Sequence, residues 1–248
     1  MTVGADARDN GTMPDLAERR EQIAVGLAGV RARIDRALEA AGRDDGIDLV
    51  VVTKTFPATD VVILAELGVT DVAENRDQEA RNKRAQVPGA RELRWHMIGQ
   101  VQRKKASTVA GWADVVESVD RPELVAALGR GALAADRVVD VLVQVCLDIP
   151  MLPGRGGVAP QDVLDLAAAV AADPGLTLRG VMAVAPYPGD PDEAFGRLEG
   201  IAASVRKRWP TADRISAGMS GDLEQAVAHG ATQVRVGGAI LGHRVPVQ

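Results

Sequence analysis

The residue best placed for chemistry is a lysine at the end of a predicted buried strand. Lys54 closes the apolar run over residues 47–53 and is followed at once by Thr55, Phe56 and Pro57. A strand that carries an ammonium group at its carboxyl end can present a nucleophilic amine inside the mouth of a barrel. The same pattern also suits an ordinary lysine that leaves a strand for solvent. Both interpretations stay open until the elements around Lys54 are placed.

The composition of the chain excludes some classes of function. The 248 residues are 46% apolar, so the chain can bury a substantial core in one large domain or two small ones. Aromatic residues make up 2% and the net charge is -5, which argues against a nucleic-acid-binding surface. Residues 76–105 contain nine Lys and Arg but three Asp and Glu. This segment is either an anion-attracting patch or the solvated surface of helices.

No segment of the sequence predicts export or membrane insertion. The first residues lack the apolar core of a signal peptide, and no uncharged apolar stretch is long enough to span a bilayer. The single cysteine, Cys146, lies in an apolar run and is expected to be a small buried hydrophobe. We therefore expect a cytoplasmic monomer without membrane or nucleic-acid partners, disordered over residues 1–13 and folded as one domain over 14–248.

Strand patterns alternate with helical patterns along the chain. A helix comes first, with apolar residues at steps of three and four from Ile23 to Leu38. Eight strand patterns follow, and all but the last are plainly followed by a helix; Asp120 is expected to cap the helix after the fourth. The order predicts a single (β/α)8 TIM-type barrel with an extra amino-terminal helix, which the apolar tail 239–241 can help to close. A doubly wound open sheet is the main rival, but no Gly-x-Gly-x-x-Gly follows the first strand.

This topology would bring distant polar residues to one mouth of the barrel. The seventh and eighth loops are the usual phosphate site of the fold, and here they are the small-residue segments 216–221 and 235–238. Ser220 would cap a helix beginning at Gly221 and leave its positive end facing the anion, although Asp222 in the first turn weakens this interpretation. Two tight structural turns are the alternative. The residues expected to converge are Lys54, Glu74, Asn75, His96, Arg155, Ser216 and Arg235.

Six ordered segments of the sequence resemble one protein family. They are VVTKT (51–55), AEN (73–75), WHMIG (95–99), RGVM (179–182), ISAGMS (215–220) and VRVG (234–237). In this order and spacing they resemble the pyridoxal phosphate homeostasis proteins of the YggS/PROSC family, which look like the barrel domain of bacterial alanine racemase standing alone. The resemblance covers about residues 16–242. It implies a barrel of the alanine racemase type that binds pyridoxal 5'-phosphate (PLP).

The resemblance also implies a role for each matching residue. Lys54 matches the lysine that holds PLP as an internal aldimine, a Schiff base, and Arg235 matches the arginine beside the pyridine nitrogen. His96 matches a residue of the cofactor pocket but also suits a hydrogen-bonded core residue. Met182 is expected to pack in the pocket wall rather than to take part in chemistry. The other residues that match the cofactor pocket or the phosphate-binding loops are Asn75, Ser216, Gly218, Met219, Ser220, Gly237 and Gly238.

The sequence departs from the family pattern at two positions. Many relatives carry a second lysine two positions after the aldimine lysine, where this chain has Phe56. Any cofactor transfer assigned to that second lysine is therefore in doubt here. Gly238 stands where a threonine is common, so one hydroxyl contact to the phosphate would be missing while the backbone donor stays.

The same residues favour a cofactor carrier over a catalyst. Arginine is a permanent donor that keeps the pyridine nitrogen unprotonated, which weakens PLP as an electron sink. Racemases of related fold use a tyrosine from an additional domain as a second base, whereas Tyr187, the single tyrosine here, lies in a turn-like loop. We expect a protein of intracellular PLP homeostasis that can deliver PLP to apo-enzymes. A weak PLP-dependent racemase or related PLP enzyme is the first alternative.

Two further alternatives have no need of PLP chemistry. A cofactor-free Schiff-base aldolase could use the same barrel, lysine and phosphate site. A partner-binding protein could use the basic residues Arg103, Lys104 and Lys105.

Overall fold

The structure is a computed structural model that describes residues 15–151 and 154–242. The segment 1–13, predicted to be disordered, lies outside the described residues, so the division into 1–13 and 14–248 stays a prediction. No helix in the described part of the chain is long and apolar enough to cross a membrane.

Eight parallel strands pair in chain order and close into a barrel. The ring closes through the first strand, in which Val51 lies opposite Val72 of the second strand and Val236 of the eighth. Valine-rich strands suit a sheet that is covered on both faces, which is the condition in this fold. The predicted (β/α)8 fold is confirmed. The strands are β1 (Asp48–Val52), β2 (Asp71–Glu74), β3 (Arg94–Met97), β4 (Val115–Val119), β5 (Val139–Gln144), β6 (Leu176–Met182), β7 (Arg214–Ser216) and β8 (Gln233–Val236).

Helices cover the outside of the barrel, and the first of them precedes every strand, as predicted. The apolar stripe of this helix, Ile23, Leu27, Val30 and Ile34, is buried in the main core. Short 3-10 turns at Arg103–Lys105 and Pro160–Asp162 lead into the fourth and sixth helices. The helices are α1 (Leu16–Ala40), α2 (Ala58–Glu66), α3 (Asp77–Arg84), α4 (Ala106–Ala110), α5 (Pro122–Ala134), α6 (Val163–Ala171), α7 (Pro191–Arg208), α8 (Leu223–Ala228) and α9 (Gly238–Leu241).

Three local predictions were wrong. The tail over 239–241 does not help to close the sheet, because β8 pairs directly with β1. The tail forms the short helix α9 instead, and the carbonyl of its Leu241 accepts a hydrogen bond from Arg19 of α1. Asp120 does not cap α5: the cap position is Arg121, and the Asp120 carboxylate pairs with the Arg121 guanidinium instead.

The third correction concerns the predicted phosphate loop after β7. Ser220 caps no helix, because α8 begins only at Leu223 and its cap position is Asp222. The Asp222 carboxylate accepts a hydrogen bond from the backbone N–H of Met219 at 2.6 Å, which folds residues 219–222 into a tight turn. The prediction failed because Asp222, rather than Ser220, occupies the cap position, and its carboxylate turns back to the preceding loop. Any anion in this loop would contact its amides rather than the end of a helix dipole.

Candidate functional site

A cleft of about 570 Å³ opens at the carboxyl ends of the strands, beside β1 and β8. Two cationic side chains, Lys54 and Arg235, line it together with a wall of Val52, Phe56 and Ile98. The remaining lining residues come from the loops after β7 and β8 and from the end of α9: Met219, Ser220, Gly221, Gly237, Gly238 and Gly242. The cleft therefore combines an amine, a guanidinium, an apolar wall and two loops of small residues.

The turn that carries Lys54 is held by residues of β2 and α3. The buried ammonium of Lys83 donates to the carbonyl of Thr53 at 2.7 Å, and the Thr53 hydroxyl donates to Glu74 Oε1 at 2.6 Å. On the other side of Lys54, the backbone N–H of Thr55 donates to the Glu79 carboxylate. Thr55 itself adopts a left-handed φ of 67°, a conformation that a β-branched residue rarely takes. Contacts on both sides of Lys54 thus fix the backbone that presents its side chain.

Lys83 and Glu74 form a buried ion pair beneath this turn. The Lys83 ammonium contacts Glu74 Oε1 and lies 3.3 Å from Glu79 Oε1, and the side chains of Lys83 and Glu74 are 4% and 0% exposed. Burial raises the pKa of Glu74, and the charge of Lys83 opposes that rise. The second oxygen, Glu74 Oε2, has no hydrogen-bond partner among the described residues. The pair therefore depends on Lys83 to keep a carboxylate charged inside the protein.

The Arg235 guanidinium is held in place from inside the barrel. It donates to the hydroxyl of Ser216 and, through Nη2, to the carbonyl of Ala183 at 2.8 Å. The Ser216 hydroxyl donates to Glu117 Oε2 at 2.6 Å, and that oxygen lies 3.7 Å from Arg235 Nη1. Gln233 Nε2 completes the group, donating to Glu117 Oε1 at 2.7 Å and to Ser216 Oγ at 2.9 Å. Burial lowers the pKa of Arg235, and the Glu117 carboxylate counters this by favouring the charged guanidinium.

His96 extends this buried network away from the cleft. Its Nδ1 lies 2.6 Å from Glu117 Oε1 and its Nε2 lies 2.9 Å from Asp71 Oδ1. Burial alone would lower the pKa of His96, but the hydrogen bonds and charges of Asp71 and Glu117 raise it to about 9. Burial would likewise raise the pKa of Glu117, whereas His96 and Arg235 hold it below its usual range. Near neutral pH positive and negative groups therefore alternate along the network: the carboxylates of Asp71 and Glu117 are negative, and His96 and Arg235 are positive.

Two glycines in the predicted phosphate loops are required by close packing. Gly218 has φ 90°, and a Cβ there would lie 2.7 Å from the side chain of Ala226. A Cβ on Gly237 would lie 2.8 Å from the carbonyl oxygen of Val52, the residue two before Lys54. The loops therefore fold tightly against β1 and α8 and expose backbone to the cleft. The N–H groups of Ser220 and Gly221 make no hydrogen bond to another described residue, so they are available to an anion.

The structure brings six of the eleven residues predicted for the site to the cleft. Lys54 and Arg235 line it with the loop residues Met219, Ser220, Gly237 and Gly238. His96 and Ser216 lie in the barrel interior, in the network behind Arg235, and do not line the cleft. Three others are also outside the lining of the cleft: Met182 and Gly218 are buried, and half-buried Asn75 follows β2, with its carbonyl packed against Gly99.

Three of the residues that hold the two cationic side chains, Lys83, Glu117 and Gln233, were not predicted from the sequence. Glu117 is a charged residue in the middle of the apolar strand β4, and Gln233 and Arg235 alternate with valines in β8. Those patterns were usable signals, since a polar residue within a buried strand must find a partner inside. Lys83 gave no such signal, because it lies in a helix rich in charged residues where solvent exposure is the ordinary expectation.

The residues of the cleft fit pyridoxal phosphate. The apolar wall and Arg235 suit a flat heteroaromatic ring, the Lys54 amine suits an aldehyde, and the free amides of Ser220 and Gly221 suit a phosphate group. A ligand of this kind would find a donor set that matches each of its polar groups.

Comparisons with known proteins agree with this fit. The alanine racemase N-terminal domain family matches residues 25–245 of the chain. A pyridoxal phosphate homeostasis protein of Mycobacterium tuberculosis is 45% identical over 96% of this chain and 98% of its own length. One of Escherichia coli is 36% identical over 90% of this chain and 97% of its own length.

A solved structure that contains PLP also resembles this chain. PipY of Synechococcus elongatus, with PLP bound, has a TM-score of 0.75 and 29% identity, covering 89% of this chain and all of its own. The resemblance found in the six sequence segments is thus confirmed over nearly the whole chain. This chain belongs to the family of pyridoxal phosphate homeostasis proteins, whose fold is that of the alanine racemase N-terminal domain.

Proposed function

We propose that this chain binds pyridoxal 5'-phosphate through a reversible covalent link to Lys54 and holds or delivers it within the cytoplasm as part of PLP homeostasis. The observation that carries the proposal is the cleft at the mouth of the barrel, where Lys54 and Arg235 meet two glycine-containing loops with free amides. The relatives named for PLP homeostasis and PipY with bound PLP support it.

Each part of the cleft has a task in this proposal. Pyridoxal phosphate supplies an aldehyde that condenses with an amine. The contacts of Lys83 and Glu79 with the turn at 53–55 hold the Lys54 amine in position for that link. The amides of Ser220 and Gly221, with the loop at Gly237 and Gly238, would bind the phosphate.

The surroundings of Arg235 favour a carrier over an enzyme. Glu117 and Ser216 hold the guanidinium as a charged donor, and the carbonyl of Ala183 fixes its second nitrogen. A donor of this kind would leave the pyridine nitrogen of the cofactor unprotonated, which gives little stabilisation to a carbanion. Tyr187, the single tyrosine, is 89% exposed and does not line the cleft, so it offers no second base there.

Binding of PLP by variant proteins tests the proposal. Apo-protein is titrated with PLP and the absorption of the bound cofactor is recorded after gel filtration, for wild type, Lys54→Ala and the control Lys207→Ala, whose side chain is exposed on α7. We expect wild type and the control to retain the cofactor and Lys54→Ala to lose it. Retention of covalently bound cofactor by Lys54→Ala would contradict the assigned attachment site.

Two assays with the loaded protein separate a carrier from an enzyme. The PLP-loaded protein is mixed with the apo-form of a PLP-dependent enzyme, and the recovered activity of that enzyme is followed. We expect transfer of PLP without turnover of amino acids by the loaded protein itself. Sustained racemisation of amino acids by wild type, lost in Lys54→Ala, would establish the racemase alternative instead.

A further inference from the structure

A second basic cavity lies at the opposite end of the barrel from the PLP cleft. It measures about 650 Å³ and is lined by residues that precede β3, β4 and β5, together with the end of α3. Four arginines line it, Arg81, Arg84, Arg91 and Arg137, and we call it the arginine pocket. Three of them belong to the basic segment over 76–105, and Arg137 joins them from the loop after α5.

Two of the four arginines already have acidic partners. Arg137 donates to Asp114 Oδ1 at 2.6 Å, and Asp114 Oδ2 accepts from the backbone N–H of Trp95 at 2.9 Å, so both carboxylate oxygens are engaged. Arg81 lies 3.3 Å from Asp77 Oδ1. Asp114 is the one acidic residue among the described residues that line the pocket.

The other two arginines have no such partner. The side chains of Arg84 and Arg91 make no hydrogen bond or ion pair with another residue in the described part of the chain. Burial lowers the pKa of the half-buried Arg84; the charge of Asp114 opposes this, and the charges of Arg137 and Arg91 add to it. The four guanidinium groups of the pocket thus outnumber the two carboxylates beside them, Asp77 and Asp114, by two, and the Arg84 side chain is partly removed from water.

We propose that the arginine pocket binds a phosphate dianion, either as free phosphate or as the terminal group of a small phosphomonoester. An excess of two guanidinium groups over carboxylates matches the charge of a dianion, and the planar donors of arginine match the oxygens of phosphate. Trp112, Ala90 and Gly111 form a flank that can contact the rest of an ester. The pocket lies at the amino-terminal ends of β3, β4 and β5, so this site is separate from the PLP cleft at the carboxyl ends of the strands.

Two tryptophans report on this pocket directly. The indole N–H of Trp112 donates to Asp77 Oδ1 at 3.0 Å, and that of Trp95 donates to the carbonyl of Ala90 at 2.8 Å, while both Trp112 and Ala90 line the pocket. The third tryptophan, Trp209, follows α7 on the opposite side of the barrel. The sequence has three tryptophans in all, so the three indole resonances in a ¹⁵N–¹H spectrum separate this pocket from other anion sites.

The experiment titrates the full-length protein with inorganic phosphate and, separately, with glycerol phosphate, at ionic strength held constant with chloride. We expect the Trp112 resonance to move and saturate, with Trp95 following and Trp209 staying in place. In the double variant Arg84→Gln/Arg91→Gln the apparent affinity should fall at least tenfold, while Arg206→Gln on α7 should bind as wild type does. Equal affinity for both ligands assigns free phosphate, and tighter binding of the ester assigns a phosphomonoester.

Three outcomes would overturn the proposal. One is a Trp112 resonance that does not respond to either ligand. Another is a response of the same affinity in the double variant, shown by its unfolding curve to be folded. The last is a linear, unsaturated shift that chloride reproduces, which would mean ionic strength alone. Because the readout is at Trp112, failure here leaves the assignment of the PLP cleft unaffected, and failure of PLP binding leaves this result standing.

Discussion

Replacing His96 by glutamine should remove a pH-dependent part of the stability of the protein. The imidazole lies between Glu117 and Asp71, and these carboxylates raise its pKa from 6.5 to about 9. A shift of this size corresponds to about 3.5 kcal/mol of stabilisation by the charged ring, at about 1.4 kcal/mol per pKa unit. Because the pKa is higher in the folded state, the full stabilisation is present below about pH 6.5 and disappears as the pH rises through about 9.

The assay is urea unfolding of both proteins across this pH range. We expect the free energy of unfolding of wild type to fall by up to about 1.4 kcal/mol per pH unit between about pH 6.5 and 9, relative to His96→Gln. The control is His229→Gln, which removes a histidine that contacts Asp192 at the protein surface and should keep the slope of wild type. Equal slopes in wild type and His96→Gln, or a His96 ring that titrates near 6.5 by NMR, would refute the assigned charge network.

Two other substitutions test the packing around the cleft. Lys83→Met leaves the Glu74 carboxylate buried without its cation. This variant should lose about 3–5 kcal/mol in the free energy of unfolding, measured in urea. The control Lys207→Met, on the surface, should change the free energy of unfolding little. A small loss for Lys83→Met would mean that the buried pair does not stabilise the turn at Lys54. Gly237→Ala should lower the free energy of unfolding by about 1–3 kcal/mol, because the added Cβ would lie 2.8 Å from the Val52 carbonyl oxygen. Gly238→Ala should change it by no more than about 0.5 kcal/mol, because nothing lies within 4 Å of the added Cβ. Equal unfolding curves for the two glycine variants would contradict the close contact between the eighth loop and β1.

Sequence patterns predicted the barrel because its signals are local. The apolar run before Lys54 and the valines of β8 mark strands by themselves, and their alternation with helices leaves few topologies. The cap positions were less predictable, since Ser220 and Asp222 both suit a helix start and only the full fold shows that Asp222 turns back to Met219.

The residues that orient the site were harder to predict than the residues that line it. Lys54 and Arg235 lie at strand ends that the barrel places at one mouth, so topology alone predicts that they meet. Lys83 and Glu117 act through side-chain contacts with elements distant in sequence, and no periodicity in the sequence encodes such a pairing. The arginine pocket has the same origin, because Arg137 joins a basic segment that ends at residue 105, before β4 and α5.

Lys54 is the residue that we propose to hold the cofactor. The most direct measurement is reduction of the PLP-loaded protein with borohydride, followed by proteolysis and mass spectrometry of the peptides. We predict that the phosphopyridoxyl group is found on Lys54, and that Lys54→Ala carries none after the same treatment. Modification of another lysine at the same occupancy, with Lys54 unmodified, would contradict the assignment of Lys54 as the attachment site.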